Sequence, residues 1–306
     1  MLRYTIRQLL WMVPVLFIIS VITFGLAHAV PGGPFDREHT LPPEIIANLE
    51  RYYGLDQPVW KQYVDYIGRI ITRFDFGPVY SSRSRRVNGI LADHLPVSAQ
   101  LGLVSILIAL GIGVPLGIVA ALKQNSLWDY LGMAVAIFGV SVPNIVLGPM
   151  LILVFALTLD ILPVAGWGTP AKMIMPAFAL GTSSAAQIAR LTRASMLQVI
   201  REDYIRTARA KGLHERVVMV RHALKNAFIP VATILGPLFA ALVTGTFVVE
   251  QIFAIPGMGR FFVISVTNRD YPVVMGTILL YAFFLVVANL AVDVTYAFLD
   301  PRIRLR

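Results

Sequence analysis

Six stretches of this chain contain no Asp, Glu, Lys or Arg: Gln8 to Phe35, His94 to Leu122, Tyr130 to Leu159, Met173 to Ala189, Asn226 to Val249 and Tyr271 to Val292. A helix rises about 1.5 Å per residue, so roughly 20 apolar residues cross a hydrocarbon core of ~30 Å. Five of the six runs are clearly long enough; the fourth, Met173 to Ala189, is shorter and carries Gly181, Thr182, Ser183 and Ser184. Lipid offers no hydrogen bonds to the backbone, so spans are helices or closed barrels, and these runs lack the alternation of barrel strands. The expectation is an all-α integral membrane fold of six transmembrane helices. A hydrophobic content of 57% against 14% charged residues agrees with a membrane class. With no cysteine, neither a disulfide framework nor a thiolate metal site is open to the chain.

The net charge of +9 matters less than where the charges stand. With a cytoplasmic N-terminus, the inner segments hold 15 of the 26 basic residues, from Arg3 and Arg7 through Arg190 to Lys225 and on to Arg302, Arg304 and Arg306, against five acidic ones. The other segments are balanced in sign, so the positive-inside bias puts both termini in the cytoplasm. A cleavable signal resembling Arg3 to Ala29, ending in Ala27-His28-Ala29, is a rival for the first span. Its apolar run is longer than usual for a signal and Pro31 stands close to the cut. The expected organisation is residues 1–30 as N-terminus and first span, 31–95 outside, 96–298 as the transmembrane core with a cytoplasmic loop at 190–228, and 299–306 as a cytoplasmic tail.

The outer segment is not featureless. Trp60, Tyr63, Val64, Ile67, Ile70, Ile71 and Phe74 recur at helical spacing, and Leu41-Pro-Pro-Glu44 starts an earlier helix with its prolines near the first turn. Such a segment serves as a cap, a gate, or a docking surface for an extracytoplasmic partner.

Between the fourth and fifth apolar runs lies DYIRTARAKGLHERVVMVRHALKNAFIP, Asp203 to Pro230. On a helix running up to Lys211, Leu197, Ile200, Tyr204 and Ala208 share a face, with Arg201, Arg206 and Arg209 off it. Gly212 ends that helix, since glycine accepts a left-handed backbone. Leu213, Val217, Val220 and Leu224 then form a second apolar stripe, with Arg216, Arg221 and Lys225 off it. A basic hairpin held by anionic headgroups and a docking knob for a cytoplasmic protein both fit this pattern. Tethering at both ends to spans argues against nucleic-acid recognition by a helix-turn-helix.

Arg206-Thr-Ala-Arg-Ala-Lys-Gly212, followed by Arg221-His-Ala-Leu224-Lys-Asn-Ala and Pro230, resembles the EAA loop of membrane subunits of ATP-binding-cassette importers, in the form found in peptide and nickel permeases. Ala208, Gly212 and Leu224 keep the pattern; Arg206, Thr207, His222 and Lys225 depart from it in the peptide-permease manner. Pro31-Gly-Gly-Pro34, Phe74-Asp-Phe-Gly77, Leu95-Pro-Val-Ser98, Ala120-Ala-Leu-Lys-Gln124, Pro256-Gly-Met-Gly259, Asn268-Arg-Asp-Tyr271 and Asp300-Pro-Arg302 extend the resemblance over nearly the whole chain, to the first of the two oligopeptide permease membrane subunits. The resemblance implies a coupling helix seated in an ATPase groove, with Tyr204, Arg206, Thr207, Ala208, Arg209, Lys211, Gly212, Leu213, Arg221 and Leu224 as coupling residues. It implies as partners a second, homologous permease subunit, two cytoplasmic ATPases that bind ATP and magnesium, and an extracytoplasmic peptide-binding protein. Dipeptide, glutathione and nickel import share that architecture.

No Gly-Lys-Ser or Gly-Lys-Thr occurs, so the chain has no P-loop and is expected to bind no cofactor and catalyse nothing itself. His214-Glu215 lacks the second His of a zincin, and the five His are scattered. Within the spans, Asn144, Gln187, Asn289, Asp293 and Glu250 are candidates for lining a pathway or joining helices. Pro115, Pro143, Pro149, Pro176 and Pro237 are expected to kink or break helices. A gradient-driven transporter would want several buried carboxylates or an internal repeat, and neither is visible in the sequence.

Overall fold

The computed structural model describes residues 2–30, 32–35, 42–244 and 246–299. Pro31, Leu41, Asp300-Pro-Arg302 and the tail lie outside the described residues, as does the side chain of Asp293. The chain divides into two units, residues 7–98 with 256–284, and residues 99–255 with the two chain ends.

The first unit opens on α1 (Leu2–Ala29), followed by α2 (Pro43–Tyr53) and α3 (Val59–Arg73). Pro43 stands at the first position of α2, where its missing N–H costs nothing, and Gly54 ends that helix at φ +70°. Helices therefore stand where the spacing places them between the first two apolar runs. Their apolar stripe divides, however: Tyr63, Ile67 and Ile70 of α3 pack on Phe24, Tyr66 and Met275, whereas Trp60, Val64, Ile71 and Phe74 stay exposed. A short antiparallel hairpin of β1 (Pro78–Val79) and β2 (Ser82–Arg86) follows. It packs through Val79 with Val87, Ile90, Met258 and Val273.

The second unit takes α4 (Val87–Leu122) from residue 99 onward, with α5 (Leu127–Ser141), α6 (Asn144–Leu151) and its π-helical continuation Ile152–Thr158, and α7 (Pro170–Val199). Beyond these come α8 (Asp203–Ala210), α9 (Glu215–Val217), a π-helical turn Val218–Leu224, α10 (Lys225–Ala227), α11 (Ile229–Thr244) and α12 (Phe247–Ile252). α13 (Met258–Thr267) and α14 (Tyr271–Leu299) complete the chain.

Among the described residues, Ile6–Ala29, Val87–Leu122 and Tyr271–Ala291 are single helices long and apolar enough to cross a bilayer. The third and fifth apolar windows are not single straight helices, and the break in the third falls at Pro143, one of the prolines expected to kink or break a helix. Leu127–Ser141 and Asn144–Thr158 meet at 104°, and Glu215–Ala227 and Ile229–Val243 at 51°. The cause of the first break is Pro143: the residue before it, Val142, is extended at φ −90° and ψ 114°. Pro230 occupies the first turn of α11 after the second break, where a missing N–H is tolerated. Pro115, Pro149, Pro176 and Pro237, by contrast, lie within continuous helices. The fifth window closes before Val249, because α11 ends at Thr244 and α12 starts afresh at Phe247. Met173 to Ala189, the weakest window, lies inside the 30-residue α7, the most deeply packed helix of this unit.

Glycines explain how α4 reaches α7. A Cβ at Gly113 would stand 2.5 Å from the Ala185 carbonyl oxygen, and one at Gly117 2.6 Å from that of Ala189. Gly113 and Gly117 are four apart on one face, the small-residue spacing by which helices in lipid bring their backbones together.

Candidate functional site

The basic stretch after α7 folds differently from one helix up to Lys211. α7 ends at Val199, residues 200–202 turn, and α8 begins at Asp203. Consequently Tyr204 points outward while Ile205 and Ala208, three apart, are buried. Gly212 ends the segment as expected, at φ +72°, and a Cβ there would meet nothing within 4 Å. Backbone conformation, not crowding, is what glycine supplies at that corner.

Of the second apolar stripe, Leu213, Val217 and Val220 stay exposed. Residues Val218–Leu224 are π-helical, with more residues per turn than an α-helix. Val218, Met219, Ala223 and Ala227 are buried instead, and with Ile205, Ala208, Met196 and Ala121 they form one apolar cluster. Leu224 lies against its edge. Val220, 65% exposed, and Tyr204, Leu213 and Val217 are left facing outward.

Charges brace this turn. Arg209 grips Glu215 across Gly212, its Nη2 donating to Oε1 at 2.8 Å and its Nε to Oε2 at 3.2 Å. The carboxylate beside it holds the Arg209 guanidinium above its ordinary range. Asn226 donates to the Tyr204 hydroxyl at 2.7 Å, tying the start of α8 to α10. Arg206 reaches Asp203 at 3.4 Å, an exposed i, i+3 pair that contributes little. Thr207 donates to the Asp203 carbonyl, and Lys211, Leu213 and Arg221 are exposed. The outcome is a knob with an apolar and basic outer surface over a core of alanines interleaved with Met196, Ile205, Val218 and Met219.

One brace escaped sequence reasoning. Arg193 on α7 donates to both oxygens of Asp129 at the start of α5, at 2.6 and 2.7 Å, and the Asn125 N–H donates to the same carboxylate. The Asp129 side chain is 3% exposed. Nothing local joins two residues 64 positions apart; their shared placement at span ends was the available signal.

Four of the five pathway candidates, Asn144, Gln187, Glu250 and Asn289, have described side chains. Glu250, 1% exposed, accepts from the Thr246 hydroxyl at 2.6 Å in the first turn of α12. Asn144 is the half-buried first residue after the Pro143 break, Gln187 is exposed on α7, and Asn289 is half-buried on α14. Among the described residues no hydrogen bond joins any two of them.

Residues 113–305 match the family described as binding-protein-dependent transport system inner membrane component, and residues 1–101 match the N-terminal region of such membrane components. The chain belongs to that family. It is therefore a multi-pass membrane component of a transport system, and the exposed knob stands on such a component. Its relatives include the dipeptide transport system permease protein DppB of Bacillus subtilis, 47% identical over all of this chain and 99% of the relative. The oligopeptide transport system permease protein OppB of Salmonella typhimurium is 44% identical over 99% of this chain and 100% of the relative. In fold, the transport component is similar to a chain of the methionine ABC transporter MetNI in inward-facing form, with a TM-score of 0.56, 19% identity, and coverage of 69% of this chain and 96% of that one.

Proposed function

We propose that this chain is one of two homologous permease subunits of an ATP-driven importer, forming half of the pathway that carries oligopeptides across the bacterial cytoplasmic membrane. The observation that carries the reading is the braced, outward-facing knob on a family member whose relatives are named peptide permeases. In this reading the chain crosses the membrane six times with both termini cytoplasmic, the bent pair of α5 and α6, the helix α7, and α11 each counting as one crossing. Residues 31–95 face the extracytoplasmic binding protein. Residues 190–228 enter a groove on one of two ATPases, which supply ATP and magnesium chemistry from their own chains.

The knob suits that work physically. Its apolar outer side chains, Tyr204, Leu213, Val217 and Val220, are exposed beside Arg206 and Arg221, so a partner groove gains both apolar area and charge pairing. Gly212 and the Arg209–Glu215 pair fix the corner between the two short helices, so force on the knob is transmitted to α7 through the Met196–Ile205–Ala208 cluster rather than absorbed by a loose loop. Ala208, being buried, supports the contact from beneath.

A second reading, dipeptide import, draws on the 47% identity to a dipeptide permease component. Affinity purification of the tagged chain from native membranes tests the main reading. Co-purified P-loop ATPases in near-stoichiometric amount support it, and their absence under gentle extraction sinks it. Uptake of a labelled pentapeptide competed by unlabelled dipeptides separates the two substrate readings. Proline at Gly212 cannot adopt φ +72°, so Gly212→Pro is expected to leave insertion intact and abolish ATP-dependent uptake. Uptake at the parental rate in that variant would contradict the coupling role.

A further inference from the structure

Residues of α1, α2, α3, the β1–β2 turn and the start of α14, all within the unit of residues 7–98 and 256–284, line a half-open cavity of about 470 Å³. That is the size range of small-molecule sites. One wall is a continuous run of rings. Phe24 lies 4.1 Å from His28, His28 lies 4.7 Å from Tyr271, Tyr271 lies 6.3 Å from Tyr80, and Tyr80 lies 4.8 Å from Tyr53.

The facing wall comes from α3 and is charged. Asp65 and Arg69 stand one turn apart, where opposite charges ordinarily pair. Among the described residues neither side chain is in an ion pair; the Arg69 Nε donates to the backbone carbonyl of Asp65 at 3.4 Å. Between them in sequence is Tyr66, 4% exposed, whose buried hydroxyl has no partner among the described residues. Burial pushes that hydroxyl far up, so it remains a donor at any working pH. Asp65 is exposed and Arg69 half-buried, and Arg51 of α2 is a second cation on the same cavity, so the lining offers cations, an anion and a buried donor beside an aromatic face.

We propose that this cavity binds a small zwitterion with an aromatic side chain, a free aromatic amino acid or a dipeptide containing one. The carboxylate meets Arg69 and the Tyr66 hydroxyl, the ammonium meets Asp65, and the ring lies against Tyr53, Tyr80 and Tyr271. Such a site on the permease subunit is separate from the knob and does not depend on the coupling reading. Its volume accommodates one or two residues, as a sensing or transit site for small products would.

The test uses the full chain assembled with its membrane and ATPase subunits in nanodiscs, without any extracytoplasmic binding protein, at pH 7. Titration calorimetry with L-phenylalanine and with Phe-Phe is expected to give saturable binding at one site per chain, with L-alanine at least tenfold weaker. Phenylalaninamide in place of phenylalanine, and Arg69→Gln in place of the parent, are each expected to weaken binding tenfold or more, and Tyr66→Phe three- to tenfold. Saturation by phenylalanine alone assigns the amino acid, and saturation by Phe-Phe alone assigns the dipeptide. Absence of saturable binding by both probes overturns the proposal, as does binding indifferent to amidation, to Arg69→Gln and to Tyr66→Phe. Should a Tyr66 variant fail to assemble, Asp65→Asn at an exposed position replaces it. It must weaken phenylalanine while leaving any binding of N-acetylphenylalanine unchanged, or the ammonium assignment is wrong. ATPase co-purification, read on the same preparation, separates failure of this site from failure of the importer reading.

Discussion

Two carboxylates show how differently one residue type behaves in this chain. Asp129 is almost fully enclosed but held by both nitrogens of an Arg193 fork and by a backbone N–H. Removing one partner of such a pair strands the other, at a cost of about 3 kcal/mol. Asp129→Asn and Arg193→Gln are each expected to lower the melting temperature of the purified chain by several degrees, and the double variant by less than the sum. Additive losses would mean the two do not act as a pair. Asp270 has no cationic partner among the described residues: Ser81 donates to it from its N–H and its hydroxyl, yet burial outweighs those bonds and raises the carboxyl above its ordinary range. A carboxyl raised on folding favours the folded state while it stays protonated. Its contribution is complete below the unfolded value, about 4, and is lost as pH rises through the folded value. The melting temperature of the parent is therefore expected to fall relative to Asp270→Asn as pH is raised from 3.5 to 7; parallel profiles would show the carboxyl is not strained.

At the scale of elements, two devices organise the second unit. Gly113 and Gly117 let α4 touch the backbone of α7, so a larger side chain has nowhere to go without moving a carbonyl. Gly117→Leu is expected to cost about 1–3 kcal/mol by overpacking and to reduce the yield of assembled protein, whereas Gly111→Leu, where a Cβ meets nothing within 4 Å, should leave it unchanged. The π-helical turn makes a sharper prediction. It buries Val218 and exposes Val220, the reverse of what uninterrupted α-helical spacing implies. Val218→Ser is expected to destabilise the chain by about 2 kcal/mol through lost burial, measured by thermal melting. Val220→Ser should melt like the parent and yet retain less ATPase on affinity purification. An exchange of those two phenotypes would restore the α-helical register. Gly212 was legible in the sequence because a glycine between two amphipathic stretches has few other uses. Ile205, Ala223 and Ala227 were not legible as core, because a π turn and the break at residues 200–202 both displace the period on which such assignments rest.

For the whole molecule, α7 carries the largest share of buried positions in its unit, but Gln187, Arg190, Ala194 and Gln198 run exposed along one side of it. In the importer reading Gln187 stands in the membrane-crossing part of α7, where a polar side chain asks for protein or water against it, while Arg190, Ala194 and Gln198 belong to the cytoplasmic segment. In that reading Gln187 meets the second permease subunit or the pathway. A spin label at residue 187 is expected to become protected from membrane-soluble quencher when the second subunit is co-expressed, and equal quenching with and without it would remove this residue from the subunit contact.

The sequence alone determined the class, the material of the spans, the outer helices and the Gly212 corner, because each depends on local composition or on a period read within a few turns. Long charge-free runs have no stable home but a bilayer, and glycine between amphipathic segments marks a helix end wherever the chain goes next. Only tertiary structure decided which face of the knob is core, that Asp129 meets Arg193, that Pro143 breaks its helix while Pro115 and Pro176 do not, and that Tyr66, Asp65 and Arg69 stand around a cavity. Those outcomes depend on what lies opposite in space, through packing, desolvation and pairing between residues far apart along the chain, and no local period carries that information.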